Sequence, residues 1–235
     1  MKIAIPSYNR PNLCITQHIV SPVDVVVPMS QRLDYIEHTQ DAWKCKIVCI
    51  PDELDGNIAK KRNAILDMYE DEDIVMLDDD IKWFEKLRIE QLHKMLEVEV
   101  LNMFTKMFES MERLGLYLWW VYPVCNAFFM NHTVATKGFI IGSTMLFRKW
   151  HWLRFDETLK AKEDYDISLQ AYYKHGGVYR LNDVATAKQA YKGKGWVAQQ
   201  RTESDIDWQA VKRMLEKRPN DVRVNPKREN EILIK

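Results

Sequence analysis

The chain has 235 residues, and its 34 Lys and Arg are balanced by 34 Asp and Glu, so the formal net charge is zero. That length is sufficient for one domain with a substantial core, and the charge balance excludes a uniformly basic nucleic-acid or membrane binder. A content of 46% hydrophobic and 29% charged residues, with 8 Gly and 8 Pro, excludes a disordered or fibrous chain.

Short apolar runs that stop at Pro or Asp predict strands in the first half of the chain. These runs cover residues 2–6, 23–27, 46–50 and 74–77, and the spacing of apolar residues predicts a helix over 57–69. Strands that alternate with helices are typical of βαβ units. We therefore predict an α/β fold with a mostly parallel central sheet flanked by helices.

The second half begins with an amphipathic pattern that predicts a long helix over 90–114, and we assign its Met and Phe stripe to the core. Segment 114–130 is uncharged, but Pro123 and Asn126 interrupt it, and it is shorter than the ~20 residues that a membrane span needs. We predict two buried strands there, or a strand and a loop. Further elements are predicted over 139–147 (strand), 163–174 (helix), 178–181 (strand) and 208–218 (helix).

Cysteine usage and the N-terminus predict a compartment. The four cysteines form no CxxC pair, which favours free thiols in a reducing environment. The apolar N-terminal stretch is broken at Pro6 and is too short for a signal peptide. We therefore expect a cytoplasmic protein.

Three aspartates follow the predicted strand 74–77. The carboxyl end of a parallel strand is where open α/β sheets bind ligands. Asp78 and Asp80, two residues apart in extended chain, can face one object while Asp79 points away. Carboxylates this close suit Mg²⁺ or Mn²⁺. The alternative is a charged turn that caps the next element.

Two further charged segments could act with these aspartates. Residues 60–63 (KKRN) lie near the start of a predicted helix, where backbone N–H groups favour phosphate, so a metal and this segment could together hold a diphosphate. Glu163 and Asp164 begin another predicted helix and could supply a general base if they are desolvated. The alternatives are a solvated helix face and ordinary N-terminal charges.

Several segments, taken in order, resemble the family-2-type nucleotide-sugar glycosyltransferases of the GT-A fold. They are residues 3–11 (IAIPSYNRP), 56–63 (GNIAKKRN), 74–80 (IVMLDDD), 142–148 (GSTMLFR), 155–157 (FDE) and 162–169 (KEDYDISL), with Gly176 and Gly177 behind them. The resemblance extends over residues 1–183, and it is carried by the order and spacing of these elements.

The resemblance implies a role for each matching residue, with a UDP-sugar as donor and Mn²⁺ or Mg²⁺ as cofactor. The nucleotide would be held by Pro6, Tyr8, Asn9, Arg10, Arg62, Asn63, Asp78 and Asp79. Asp80, with Asp78, would bind the metal. Asp164, in the pair with Glu163, would be the catalytic base that deprotonates the acceptor hydroxyl.

The chain also departs from the family pattern in two places. Its second strand ends in Val27-Pro28-Met29, without the acidic residue that often reads the base. No histidine follows His175 to supply the C-terminal metal ligand of some members. The candidates for that place are Asp183, Lys188, Gln189 and Lys192, and the sequence does not choose among them.

More narrowly, the chain resembles the bacteriophage glycosyltransferases associated with TET/JBP-type base hydroxylases, through residues 5–11 (IPSYNRP) and 52–56 (DELDG). This implies an acceptor of 5-hydroxymethylpyrimidine in DNA, in the host cytoplasm. Residues 188–235 carry 12 Lys and Arg against 7 Asp and Glu, and Lys192, Lys194 and Trp196 would contact DNA. The base would be flipped out of the duplex.

We therefore predict one GT-A core over residues 1–187 with a basic helical extension over 188–235 packed on it. The predicted function is metal-dependent transfer of a sugar to a hydroxyl acceptor, with hydroxymethylated DNA as partner and no membrane partner. One alternative is a transferase for a polysaccharide or lipid acceptor, and another is a non-catalytic binding module. The sugar, the stereochemical outcome and the oligomeric state stay open.

Overall fold

The computed structural model describes residues 1–39, 43–189 and 205–235, and a ten-stranded sheet lies at its centre. The strands are β1 (Lys2–Pro6), β2 (Val23–Pro28), β3 (Cys45–Ile50), β4 (Ile74–Leu77), β5 (Ile81–Arg88), β6 (Gln91–Lys94), β7 (Leu118–Tyr122), β8 (Val134–Ala135), β9 (Thr144–Phe147) and β10 (Tyr179–Lys188). The helices are α1 (Arg32–His38), α2 (Ile58–Met68), α3 (Glu97–Leu114), α4 (Glu163–His175) and α5 (Ile206–Lys217). A hairpin of β11 (Val222–Asn225) and β12 (Arg228–Ile234) follows α5.

The strand order is β3-β2-β1-β4-β9-β7-β10-β5-β6, with β8 paired to β10. Strands β3, β2, β1 and β4 are all parallel, β9 is antiparallel to β4 and β7, and β10 is parallel to β7. The predicted α/β fold is confirmed. Because β1 and β4 are parallel neighbours, the segments that follow Pro6 and Leu77 meet at one edge of the sheet.

The sheet buries both of its faces, as the nearly continuous apolar strands require. Ile3 and Ile5 of β1 pack in the cluster that contains Phe104 of α3. Ala4, between them, faces the opposite side and packs in the cluster that contains Ile65 of α2. The apolar stripe of α3 therefore belongs to the core, as predicted.

The predicted helix over 90–114 begins later in the structure. Helix α3 begins at Glu97 instead of residue 90, because β6 pairs with β5 after a turn in which Ile89 has a φ of 58°. Segment 114–130 contains β7 and then a loop, which was one of the two predicted alternatives.

None of the described helices combines the length and apolar character that crossing a membrane requires. All four cysteines are free.

The C-terminal elements pack on α4. Leu169 of α4 lies in an apolar cluster with Val211 and Met214 of α5 and with residues of both hairpin strands. The fully buried Asp166 of α4 forms ion pairs with Lys217 (2.9 Å) and Arg218 (3.4 Å). The predicted helix is confirmed as α5, and the hairpin was not predicted. The division into a core over 1–187 and an extension stays a prediction.

Candidate active site

A cavity of about 750 Å³ opens at the carboxyl ends of β1 and β4, between the N-terminal ends of α2 and α4. The predicted residues that line it are Pro6, Tyr8, Arg10, Arg62, Asp78, Asp79, Asp80, Glu163 and Asp164. Asp55, Lys61 and Lys188 also line it. The tertiary structure thus brings together five segments of the sequence, which lie at residues 6–10, 55–62, 78–80, 163–164 and 188.

The three aspartates after β4 have different partners. Asp78 contacts Arg62 Nη2 through Oδ1 (3.1 Å) and Lys188 Nζ through Oδ2 (2.8 Å). Burial alone would raise the pKa of Asp78, but these two cations outweigh it and lower the pKa. Asp79 instead accepts hydrogen bonds from Ser7 Oγ (2.6 Å) and Arg10 Nη1 (2.6 Å). The Asp78 carboxylate therefore faces α2 and β10, whereas the Asp79 carboxylate faces the segment that follows β1.

Asp80 keeps one carboxylate oxygen without a hydrogen-bond donor. Its Oδ1 is buried and has no such donor among the described residues, and the Lys188 ammonium lies 3.7 Å away. Burial and the negative charge of Asp78 raise the pKa of Asp80 to about 6. This oxygen is available to a cation.

The space between the Asp78 and Asp80 carboxylates is able to hold a positive charge, as a divalent metal site must. The ammonium of Lys188 already sits between the two carboxylates, so a cation can be accommodated there. No group of three His, Cys, Asp or Glu side chains suitable for a metal occurs within residues 1–39, 43–189 and 205–235. Two carboxylates are enough for Mg²⁺ or Mn²⁺ when substrate phosphates supply further oxygen ligands.

Arg62 joins the sides of the cavity. Helix α2 begins with Asn57 as its N-cap, whose side chain accepts a hydrogen bond from Lys60 N (2.9 Å), and this places Arg62 in the second turn. Its Nη1 binds Glu163 (2.7 Å), and its Nη2 binds Asp78 (3.1 Å) and the Gly142 carbonyl oxygen (2.9 Å). Arg62 is only 3% exposed, so the alternative of a solvated helix face is wrong for this residue.

Asp164 and Glu163 have different surroundings. The Asp164 carboxylate accepts a hydrogen bond from Gly142 N (3.0 Å) and borders the cavity. Burial, and then the charge of Glu163, raise the pKa of Asp164 to about 7, which suits a general base at neutral pH. Glu163, which was also predicted to be catalytic, is held by Arg62 and so orients that guanidinium.

A buried ion pair that was not predicted from the sequence lies at the wall of the cavity near Ser7 and Tyr8. Lys61 Nζ lies 2.8 Å from Asp55 Oδ1, donates a hydrogen bond to the Ser7 carbonyl oxygen, and sits 5.5 Å from the centre of the Tyr8 ring. The acidic run of residues 52–55 was the available signal, because a buried Lys in a helix needs a nearby acid.

Two residues that were predicted to bind the nucleotide do not line the cavity. Asn9 is hydrogen bonded to Gln31. Asn63 binds the Phe155 backbone and Glu157 Oε1 (2.9 Å), because it lies on the side of α2 that holds the loop before α4. The predicted DNA contacts Lys192, Lys194 and Trp196 lie outside the described residues.

The structure also distinguishes the candidates for the C-terminal metal ligand. Lys188 reaches Asp78 and Asp80, and Gln189 donates its backbone N–H to the Asp80 carbonyl oxygen (2.8 Å). Asp183 instead faces Lys86 (3.7 Å) and His132 (3.9 Å). Lys192 lies outside the described residues.

No protein-family model matches the chain, and no curated protein matches it in sequence. Solved structures do match. S. aureus TarS 1-349 in complex with UDP-GlcNAc has a TM-score of 0.56 and 16% identity, over 94% of this chain and 74% of that one. Glucosyl-3-phosphoglycerate synthase from Mycobacterium tuberculosis, in complex with Mn²⁺, UDP and glucosyl-3-phosphoglycerate, has a TM-score of 0.52 and 9% identity, over 92% of this chain and 78% of that one. The chain has the GT-A fold that these proteins share.

Proposed function

We propose that this protein is a metal-dependent glycosyltransferase that moves a sugar from a nucleoside diphosphate sugar to a hydroxyl group. The observation that carries the proposal is the convergence of the Asp78 and Asp80 pair, Arg62 and Asp164 on one cavity. The GT-A neighbours support a UDP-sugar donor, since one is in complex with UDP-GlcNAc and another with UDP and Mn²⁺.

In this proposal each wall of the cavity has one task. Pro6, Tyr8 and Arg10 bind the nucleotide, and Asp78 and Asp80 hold Mn²⁺ or Mg²⁺. The metal, when bound, stabilises the negative charge of the departing diphosphate. Arg62 keeps Asp78 and Glu163 in place and adds positive charge beside the diphosphate.

Asp164 is the base of the proposed reaction. As the acceptor oxygen bonds to the sugar C1, the acceptor proton moves to the Asp164 carboxylate, and the C1–phosphate oxygen bond breaks with its electron pair going to the diphosphate. The Gly142 N–H holds the carboxylate in place (3.0 Å). A base on the acceptor side suits an inverting displacement.

We infer that the acceptor is a 5-hydroxymethylpyrimidine in DNA. Residues 188–235 contain 12 Lys and Arg but only 7 Asp and Glu, and this positive charge supports a polyanionic acceptor. Three of those cations, Lys188, Lys217 and Arg218, are paired with carboxylates of the core. Arg213 is paired with Glu216 of its own helix, so in this proposal the phosphate contacts come from the remaining cations.

A mass measurement tests the reaction and the acceptor together. The protein is incubated with hydroxymethylated DNA, Mn²⁺ and a panel of UDP-sugars, and the nucleosides are weighed after digestion. We expect a nucleoside that is heavier by one sugar residue. The variants Asp80→Asn and Asp164→Asn should fold but should not form this heavier nucleoside. If the DNA stays unmodified while a polysaccharide or lipid acceptor receives the sugar, the assignment of DNA as acceptor is wrong. Undiminished turnover in either variant would contradict the assignment of the active site.

Calorimetry with UDP and Mn²⁺ separates the enzyme from a non-catalytic module. A glycosyltransferase of this kind should bind UDP more tightly with Mn²⁺ than without it. Asp71→Asn, on the surface turn before β4, is the matched control and should keep that difference. Absence of any UDP binding would contradict the proposed function.

A further inference from the structure

The ammonium of Lys188 occupies the position in which a cation bridges Asp78 and Asp80. It lies 2.8 Å from Asp78 Oδ2 and 3.7 Å from Asp80 Oδ1. Both oxygens of Asp78 are therefore engaged, one by Lys188 and the other by Arg62. Lys188 therefore already compensates part of the negative charge on which the proposed metal depends.

The backbone around Lys188 is held in register with the aspartate turn. Lys188 pairs with Ile81, the residue that follows Asp80, across strands β10 and β5. The next residue, Gln189, donates its N–H to the Asp80 carbonyl oxygen (2.8 Å). The register shifts between Ala187 and Lys188, but withdrawal of the main chain would still break this pairing. Rotation about the side-chain bonds of Lys188 is a way for the ammonium to leave that keeps the pairing intact.

A divalent ion and an ammonium cannot share this position. Two cations a few ångströms apart repel strongly in a partly buried site, and the metal would also lose the carboxylate oxygens that Lys188 holds. A diphosphate changes this balance, because its anionic oxygens can accept the ammonium and can also coordinate the metal.

We propose that Lys188 acts as an internal counter-ion that blocks the metal position until nucleotide arrives, and that its ammonium then moves from the two aspartates to the diphosphate. Lys188 would thereby couple metal binding to nucleotide binding, so that each ligand increases the affinity of the other. This inference rests on the proposed function, because it requires a diphosphate ligand beside Asp78 and Asp80.

The affinity for Mn²⁺ alone tests the proposal, measured by calorimetry and by the electron paramagnetic resonance signal of free Mn²⁺. Without nucleotide, Lys188→Met should bind Mn²⁺ at least about tenfold more tightly than the wild type, within the usual range of coupling between sites. With UDP present, the increase in Mn²⁺ affinity caused by UDP should be smaller in Lys188→Met than in the wild type.

Two further variants serve as controls. Lys188→Arg keeps the positive charge and should bind Mn²⁺ alone as weakly as the wild type. Lys86→Met removes a cation from the neighbouring strand β5, where its partner is Asp183 (3.7 Å), and should leave Mn²⁺ binding unchanged. If Lys188→Met does not fold, Lys188→Gln removes the charge with a polar side chain.

The outcomes are distinct. If neutral variants of Lys188 bind Mn²⁺ alone no more tightly than the wild type, the inference is wrong, even when UDP with Mn²⁺ binds as proposed. If the wild type binds no UDP with or without Mn²⁺, the proposed function fails and the inference fails with it. A purely structural role for Lys188 would weaken Mn²⁺ binding in the variants, which is the opposite of the expected change.

Discussion

Arg62 on α2 and Glu163, the first residue of α4, are joined by a 2.7 Å ion pair across 101 positions of the chain. Both side chains are largely buried, with exposed fractions of 4% and 10%. The same guanidinium contacts Asp78 at the end of β4. Arg62 thus links α2, α4 and the end of β4, which are three of the elements that line the cavity.

Removal of Arg62 should destabilise the protein. In Arg62→Met the Glu163 carboxylate stays buried without its partner, and breaking a buried pair in this way costs about 3–5 kcal/mol. The free energy of unfolding from urea denaturation measures the loss. Arg154→Met, which breaks an exposed ion pair with Asp67, should cost about 1 kcal/mol or less. Equal losses in the two variants would contradict the role given to Arg62.

Gly142→Ala should reduce activity with little loss of stability. A Cβ at position 142 would lie 2.9 Å from Arg62 Nη2 and 3.0 Å from Nη1, so the end of the Arg62 side chain must shift. That shift changes the position of Asp78 or Glu163 while the apolar core is untouched. Glycosyl transfer and thermal unfolding should be measured on the same preparation. Full activity would show that the site tolerates a displaced guanidinium. Gly56→Ala, where the added Cβ would meet only the flexible Lys60 side chain (3.2 Å from Cδ), checks for a general effect of losing a glycine.

The pH dependence of transfer should report on Asp164. Because burial and the charge of Glu163 raise its pKa to about 7, a large fraction of Asp164 is protonated below neutral pH and cannot accept the acceptor proton. We therefore expect kcat/KM to fall as the pH decreases through about 7 and to level off above it.

Glu163→Gln provides the test of that assignment. It removes a neighbouring negative charge and leaves the Arg62 guanidinium beside Asp164, and both changes favour the ionised form of Asp164. The midpoint of the kcat/KM profile should therefore move to lower pH. A midpoint that stays in place would contradict the assignment of the profile to Asp164.

The docking of α5 should depend on the buried carboxylate of Asp166. In the double variant Lys217→Met with Arg218→Met, Asp166 loses both cations and keeps a hydrogen bond from Gln170 Nε2 (2.8 Å). We expect a loss of about 3 kcal/mol in unfolding free energy, and faster proteolysis after α4. Arg213→Met removes an exposed partner of Glu216 on the same helix and should change the free energy by about 0.5 kcal/mol or less.

Local sequence was sufficient for the strands of the parallel half of the sheet and for the helices α2, α4 and α5. Each parallel strand is a short apolar run with a clear stop, and such a pattern depends only on neighbours in the chain. The predicted start of the helix over 90–114 was wrong, because residues 91–94 form β6, which pairs with β5, and β5 in turn pairs with β10. The burial of Ile81, Phe84 and Leu87 in β5 depends on partners distant in sequence.

The same distinction applies to the site. The strand-end position of Asp78 and Asp80, and the start of a helix at Glu163 and Asp164, can be read from the sequence alone. The contacts that define their chemistry cannot, since Lys188 reaches Asp78 from 110 positions away and Asp55 holds Lys61 inside the protein. Charge, burial and pKa depend on which groups the folded chain brings within a few ångströms of each other, and periodicity along the sequence carries no information about those distances.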